Sequence, residues 1–554
     1  MATLRNDDPY EIQMDSGSED DSEMEIDEVY SSSTDTDESE AEAVSKEHST
    51  NRIWSQTAFK PRLWTFDERN SGVSSTIRAM KNDVPLDFFE LLFDENMIDM
   101  IAEETNKYQE FSTSDAADNH LSHQAKWIPT NRAEIYIFLA TIMLMSVTKK
   151  NKILDYWSTD PMIVTPMFGQ LFSRDRFITL LKYLHFNDNS SQVDNDRLYK
   201  IKPVINELRD KFRSLFTPYK KLCIDESLVL WKGRLVFKQF IPTKRHRFGI
   251  KVFVICDCQT RVVLDFIVYT GSSTEIELND NLGKSGSVVM TLMKPYLNKG
   301  HALFVDNWYT SPLLFEKLHE LKTGACGTVR KNRLGLVKFN KLAKGDFEYH
   351  NTSNLMALKW QDKREVIMLS TIHRPGMVST RKKHWKTQNV VHKPECVVDY
   401  NENMGSVDKV DMQISFVASA RKSIKWYKKF FFYLMDLSTL NAYMLFKVKH
   451  KESIQFNDFR LELIRQLIER YAQPKNPIGR PTIGENPIRL TARHFPSLVP
   501  PTDAGKMGRR SCIVCSHTSR REKQRSDTRY QCDVCNVGLC VVGCFEEYHT
   551  LKHF

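Results

Sequence analysis

At 554 residues the chain exceeds what one hydrophobic core organises, and at roughly 150 residues per domain it reads as about three or four units. The most apolar helical stretch, Ile135 to Val147, falls short of the roughly 20 residues that cross a bilayer, and the Met1 end is acidic where a signal peptide is basic and then apolar; membrane and secretory classes are set aside. The formal charge of +8 hides an asymmetry: residues 1–50 hold 17 Asp or Glu against Arg5 and Lys46, a net of −15 that leaves +23 on the remainder, the charge a polyanion binder needs. Of 11 cysteines, six fall between Cys512 and Cys544 in short pairs, which argues for metal ligands in a reducing compartment and against a disulfide framework.

From Asp15 to Glu42 the chain is rich in Asp, Glu and Ser with hardly an aromatic, so it reads as a disordered tail. Helical spacing begins at Val84, with Leu86, Phe89, Phe93, Met97 and Ile101 three or four residues apart, and continues in Arg132–Val147, Arg174–Leu184 and Val204–Leu215. At Leu222 the pattern changes to short runs of β-branched and aromatic residues: Lys221–Trp231, Lys251–Asp257, Val262–Tyr269 and Ala302–Val305. A helix over Ser311–Leu321 and a strand over Ala325–Val329 follow. Residues 330–394 are basic and irregular with short alternating pieces such as Val366–Leu369, an inserted β-rich module. Helical periodicity resumes after Gly405 and runs through Phe430–Phe446 and Asp458–Tyr471, and Gln473 to Arg510 is a Pro-, Gly- and Arg-rich linker.

Two apolar runs end in an aspartate, Leu222-Cys223-Ile224-Asp225 and Leu303-Phe304-Val305-Asp306. Carboxylates from neighbouring strands can converge where a sheet opens to solvent, and a third from a helix can close a site for two divalent cations. Met404-Gly405-Ser406-Val407-Asp408-Lys409-Val410-Asp411 supplies it, with Asp408 and Asp411 three apart and so on one helical face. Mg²⁺, with Mn²⁺ as its substitute, would activate the attacking oxygen and neutralise charge on a transferring phosphoryl group. A lone strand-end Asp is more often a turn former; the order strand, strand, helix raises the odds.

Taken with Ile241-Pro242-Thr243-Lys244, Gly249-Ile250-Lys251, Asp306-Asn307-Trp308-Tyr309-Thr310-Ser311, Asp155-Tyr156-Trp157-Ser158 and Arg176-Phe177, the carboxylate motifs resemble the piggyBac transposase family, from about Val84 onward. The resemblance implies an RNase H-like core, a triad of Asp225, Asp306 and Asp408 binding the Mg²⁺ pair, and Asp411 as a further essential carboxylate. It implies cut-and-paste transposition: binding of terminal inverted repeats, excision through hairpins, and insertion at TTAA by a homodimer acting on double-stranded DNA in the nucleus. Gly405-Ser406 stands where many relatives have two glycines, a small-for-small change.

Lys244, Arg245 and Arg247 form a basic run fitted to phosphates or, equally, a solvated turn; Trp308 could stack on an unpaired base, although a Trp at such a junction is more often core. The C-terminus carries four ligand pairs, Cys512/Cys515, Cys532/Cys535, Cys540/Cys544 and His549/His553, enough for two tetrahedral Zn²⁺ sites. In a cross-brace, pairs one and three share one ion and pairs two and four the other; His517 is a spare candidate. The flanking Arg509, Arg510, Arg520 and Arg521 favour a polyanion surface. The rivals are a domesticated DNA-binding protein that no longer cuts, and a chromatin or histone reader acting through the zinc module.

The expected fold is multidomain α+β: an RNase H-like mixed-sheet catalytic core with an inserted β-rich module, a flanking helical domain and a C-terminal cross-brace zinc domain. Its segments are a disordered acidic region (1–77), a helical dimerisation and DNA-binding domain (78–220 and 420–472), the core (221–329 and 396–419), the insertion (330–395), a basic linker (473–507) and the zinc domain (508–554).

Overall fold

The computed structural model describes residues 52–114, 127–192, 196–241, 247–279, 281–383, 388–419, 425–451, 454–472, 494–501, 505–551 and 554. The acidic tail, the Lys244–His246 run and most of the proposed linker lie outside them. The chain divides into two compact units, Met1–Ala472 and Gln473–Phe554.

In the first unit the periodicity that starts at Val84 is built as two helices. α1 (Pro85–Glu90) opens on a proline, and its Asp87 carboxylate accepts from the Val84 N–H at 2.8 Å. α2 (Glu95–Ser114) starts afresh after Asp94, whose side chain accepts from the Met97 N–H at 3.0 Å. Leu86, Phe89, Phe93, Met97 and Ile101 are all buried, so the spacing marks the buried face while the Asp94 cap makes the break. α3 (Arg132–Val147) is capped by Asn131 and buried round most of its circumference, which is why it is apolar on every side. α4 (Pro166–Leu171), α5 (Arg174–Tyr183, capped by Ser173) and α6 (Lys202–Leu215) complete the N-terminal helices.

The sheet starts at Lys221 with β1 (Lys221–Leu230), followed by β2 (Gln239–Phe240), β3 (Phe248–Asp257), β4 (Val263–Val268), β5 (Ala302–Val305) and β6 (Gly324–Thr328). β4, β3 and β1 are antiparallel neighbours; β1 and β5, then β5 and β6, are parallel. This is the mixed sheet of an RNase H-like core. The parallel pairs require crossovers, supplied by α7 (Gly283–Met293) before β5 and α8 (Pro312–Glu320) after it.

The insertion contributes β7 (Phe347–Asn351), β8 (Met356–Gln361), β9 (Glu365–Ser370), β10 (Met377–Lys383) and β11 (Val390–Pro394). β9 pairs with β6 and with β8, and β8 with β7, so three of these strands extend the core sheet, while β10 and β11 form their own ribbon. Pairing there satisfies what would otherwise be an open edge at β6.

α9 (Glu395–Asn403) and α10 (Ser406–Phe416) return to the sheet; α11 (Trp426–His450) and α12 (Phe456–Tyr471) return to the helices, packing against α1 and α3. Gln466 Oε1 accepts from the Leu86 N–H at 2.9 Å, and Asp83 binds Lys449 at 2.6 Å and His450 at 2.8 Å. Helices before and after the sheet thus share one core. Residues 52–77, grouped by composition with the acidic region, pack on this unit: Phe59, Val73 and Ile77 are buried. Their aromatic residues supply the apolar surface that the first 50 residues lack. No helix among the described residues is long and apolar enough to cross a membrane.

The second unit holds β12 (Pro496–Leu498), β13 (Arg510–Ser511), α13 (Ile513–His517), β14 (Asp527–Thr528), β15 (Tyr530–Cys532), β16 (Val537–Gly538) and α14 (Cys544–Thr550). β15 pairs with β12 and β16, so the folded module starts before Gly508, inside the segment expected as linker. Its core is only Cys512, Val514, Cys532, Leu539, Cys544 and Tyr548. So little apolar surface cannot hold a fold without metal.

Candidate active site and zinc centres

β1 and β5 run in parallel register up to Ile224 opposite Val305, so the next residue of each, Asp225 and Asp306, stands beside the other where the strands part. One oxygen each of Asp225, Glu226 and Asp306 lies within 4.8 Å of the others. Glu226 escapes the sequence reading because strand alternation assigns it to the face opposite Asp225. The Tyr309 hydroxyl donates to Glu226 Oε2 at 3.2 Å, and Lys251 Nζ lies 3.9 Å from Oε1.

Two contacts fix the course of α10 along β1. Cys223 Sγ donates to the Met404 carbonyl at 3.0 Å, and Ser227 Oγ donates to Asp411 Oδ1 at 2.6 Å while lying 3.1 Å from the Tyr433 hydroxyl. Asp408 lies one turn before Asp411, in the first turn of α10. It is exposed, and it is not one of the three clustered carboxylates. Asp225 and Asp306 are thus brought together, Glu226 joins them, Asp411 is held against β1, and Asp408 stays outside the cluster.

Burial, and after it the Glu226 charge, pushes the Asp306 carboxyl up to about 7, against a bond from the Trp308 N–H and the Lys251 charge. Three carboxylates crowded where β5 ends beside the middle of β1, with the buried Lys251 next to them, form the oxygen donor set that suits a hard divalent cation.

The loop after Asp306 is tightly held. The Trp308 N–H donates to Asp306 Oδ1 at 2.9 Å, Arg330 Nε to Asn307 Oδ1 at 3.2 Å, and Arg333 Nη2 to the carbonyls of Asn307 at 2.5 Å and Trp308 at 3.1 Å. Neither arginine is foreseeable from sequence, because both lie in the irregular stretch after β6. The Trp308 ring is half-buried, stacked on Phe253 at 5.6 Å with Lys251 Nζ 4.6 Å from its centroid. Arg247 is exposed at the head of β3; Lys244 and Arg245 lie outside the described residues.

In the second unit Cys512, Cys515, Cys540 and Cys544 gather at one point, and His494, Cys532, Cys535 and His549 at another. Cys515 Sγ is 3.9 Å from Cys540 Sγ and 3.5 Å from Cys544 Sγ. His494 Nδ1 is 3.3 Å from Cys532 Sγ and 3.5 Å from Cys535 Sγ. A tetrahedron with Zn–S of about 2.3 Å has edges of about 3.8 Å, so both donor sets fit Zn²⁺. His549 Nδ1 lies 2.7 Å from the Phe545 carbonyl, which leaves Nε2 for the metal.

The cross-brace pairing holds for pairs one and three and for Cys532/Cys535 with His549. At the second centre the fourth donor is His494, while His553 lies outside the described residues. A lone histidine 18 residues before Cys512 carries no spacing signal beside four complete pairs. His517 is exposed and belongs to neither group. Of the arginines proposed for DNA in this unit, Arg509, Arg520 and Arg521 are exposed and Arg510 is half-buried. Arg510 bonds Gln531 and Asn536, and Arg521 pairs with Glu547 at 2.7 Å and donates to Cys544 Sγ at 3.2 Å.

Residues 84–443, which carry all the candidate carboxylates, match the family described as Transposase IS4, and residues 501–550 match a DDE_Tnp_1-like zinc finger. The human PiggyBac transposable element-derived protein 3 is 26% identical over 500 residues, covering 86% of this chain and 79% of its own length. The human PiggyBac transposable element-derived protein 2 is 26% identical over 415 residues, covering 72% of this chain and 67% of its own. Among solved structures, the cryo-EM piggyBac transposase synaptic complex with hairpin DNA superposes with a TM-score of 0.64 at 22% identity, covering 86% of this chain and 99% of that one.

Proposed function

Since the chain belongs to the piggyBac-type transposase family, we propose that it is an active cut-and-paste DNA transposase, which binds the inverted repeats at an element's ends, excises the element through hairpins and inserts it at TTAA. The observation that carries this reading is the cluster of Asp225, Glu226 and Asp306 where β5 ends beside β1, next to α10, the helix that carries Asp408 and Asp411. Asp225 and Asp306, with Asp408 from α10, would hold a Mg²⁺ pair, which would supply activation of the attacking hydroxyl and neutralise charge on the transferring phosphoryl group. Asp411 keeps α10 seated through Ser227 and Tyr433. The Trp308 N–H and the two arginines fix the loop that carries Asp306. Zn²⁺ in the second unit is structural. The exposed arginines there, with the +23 body, give the phosphate contacts. Two element ends call for a homodimer, and the substrate places the reaction in the nucleus.

The test is an excision assay with cognate ends in Mg²⁺. The wild-type chain cuts; Asp225→Asn, Asp306→Asn and Asp408→Asn each lose cleavage by at least about a thousandfold and keep end binding, because one metal ligand is lost and the DNA surface is not. Wild-type excision by one variant removes that residue from the assignment. A wild-type chain that binds ends and cuts nothing is instead a domesticated binder, a reading favoured only by the human relatives, which are named as element-derived proteins.

A further inference from the structure

Residues 52–66 lie across the part of the sheet that carries Asp306. Arg52 makes a bidentate pair with Glu316 of α8, both N···O distances 2.6 Å, and Trp54 Nε1 donates to the Gly335 carbonyl at 3.1 Å. Ser55 exchanges backbone bonds with Asn351 at the end of β7, at 2.9 and 2.8 Å. Farther along, Arg62 lies over Trp64, which packs on His319 of α8, and Phe66 packs on His301 just before β5.

Two glycines make room for this strap, and both have positive φ. A Cβ on Gly335 would stand 2.3 Å from Arg52 Nη1, and one on Gly300 would stand 2.2 Å from the Thr65 carbonyl oxygen. The strap thus grips the β5–α8 unit at both ends, at Gly300 and His301 before Asp306 and at Glu316 and His319 after it. It also holds the Arg330–Leu336 turn, whose Arg333 clamps the carbonyls of Asn307 and Trp308.

We propose that residues 52–66 are a brace on the active-site loop: Arg52 and Trp54 are positioning residues that act through Glu316, Gly335 and Arg333 to fix Asp306, and so set the rate of strand cleavage. The inference rests on the reading of Asp306 as a metal-site carboxylate. In the full-length chain, Arg52→Glu with Trp54→Ala raises hydrogen exchange in peptide 303–311 and slows single-turnover cleavage at saturating DNA by about tenfold, with end affinity kept within about twofold. Arg52→Glu alone gives part of both changes, and pairing it with Glu316→Arg reverses that part, which a general loss of packing would not allow. Gly300→Ala, acting at the other end of the strap, gives the same two changes should the first variant fold poorly. Unchanged exchange in 303–311, or raised exchange with wild-type cleavage, overturns the brace. If the wild-type chain cuts no DNA, the enzymatic reading fails, and the exchange measurement alone still decides whether the strap holds the loop.

Discussion

A tetrahedral zinc site needs four donors, and at the second centre His494 is the described residue that completes the set. His494→Ala should therefore lower zinc from two to about one ion per chain by elemental analysis, while His553→Ala keeps two; the reverse result would return His553 to the ligand set. Two other histidines govern acid stability. Burial depresses both His185 and His301 to about 4, against bonds to Asn189 Oδ1 in the first case and to the Lys220 and Tyr219 carbonyls in the second. The folded state keeps them neutral, whereas the unfolded chain protonates them near 6.5. Their neutral burial costs nothing above that pH, and stability falls as pH drops from about 6.5 towards 4, by at most about 3 kcal/mol for each. Thermal melts at pH 7 and pH 5 should show a loss that His185→Gln and His301→Gln each reduce. An unchanged slope in both variants would assign the acid sensitivity to other groups.

α12 carries a buried charge that links the helices to the active-site helix. Arg460 donates to Ser146 Oγ at 2.6 Å and to the Val417 carbonyl at 3.2 Å, while Asp436 of α11 accepts from the Ser419 N–H at 2.8 Å. Both therefore hold the segment that leaves α10. Burial pushes Asp436 up to about 7, and the Arg460 charge opposes the rise. Arg460→Ala should destabilise the first unit by about 3–5 kcal/mol, because it strands Asp436 and the Val417 carbonyl, and Asp436→Asn should cost much less; equal melting temperatures for wild type and Arg460→Ala would refute the link. Elements of this kind differ in how far the sequence announces them. β1, β5 and α3 are readable because each is filled by residues suited to one environment. α7 is not: Gly283, Ser285, Gly286 and Ser287 are poor helix formers, and the crossover between parallel strands is what makes the segment helical. β7 to β9 are indistinct because their partners, including β6, must first be assembled. At the site itself, Asp225 and Asp306 stand out because each closes an apolar run, and Asp408 because it lies in the first turn of a helix. Glu226 and Arg333 do not: strand alternation sets Glu226 on the face opposite Asp225, and Arg333 meets the Asn307 and Trp308 carbonyls only once the loop is folded.

At the scale of the molecule, charge sets the behaviour towards DNA. The first 50 residues carry −15 and the remainder +23, so we propose that in cis the tail acts as a polyanion at high local concentration that competes for the basic surface DNA needs. DNA must displace it, which weakens non-specific binding most where electrostatics act at long range. Salt screens the attraction between tail and body over about 10 Å at 0.1 M, and it weakens the DNA contacts by counterion release. Deletion of residues 1–50 should therefore raise affinity for random duplex about three- to tenfold at about 50 mM salt, with a steeper dependence of log K on log salt, and the two proteins should converge by about 0.3 M. Specific end binding should gain less in proportion, since base contacts add affinity that the tail cannot imitate. Fluorescence anisotropy across a salt series reads both quantities, and superimposable titrations of the full-length and truncated chains would show that the tail leaves the basic surface free.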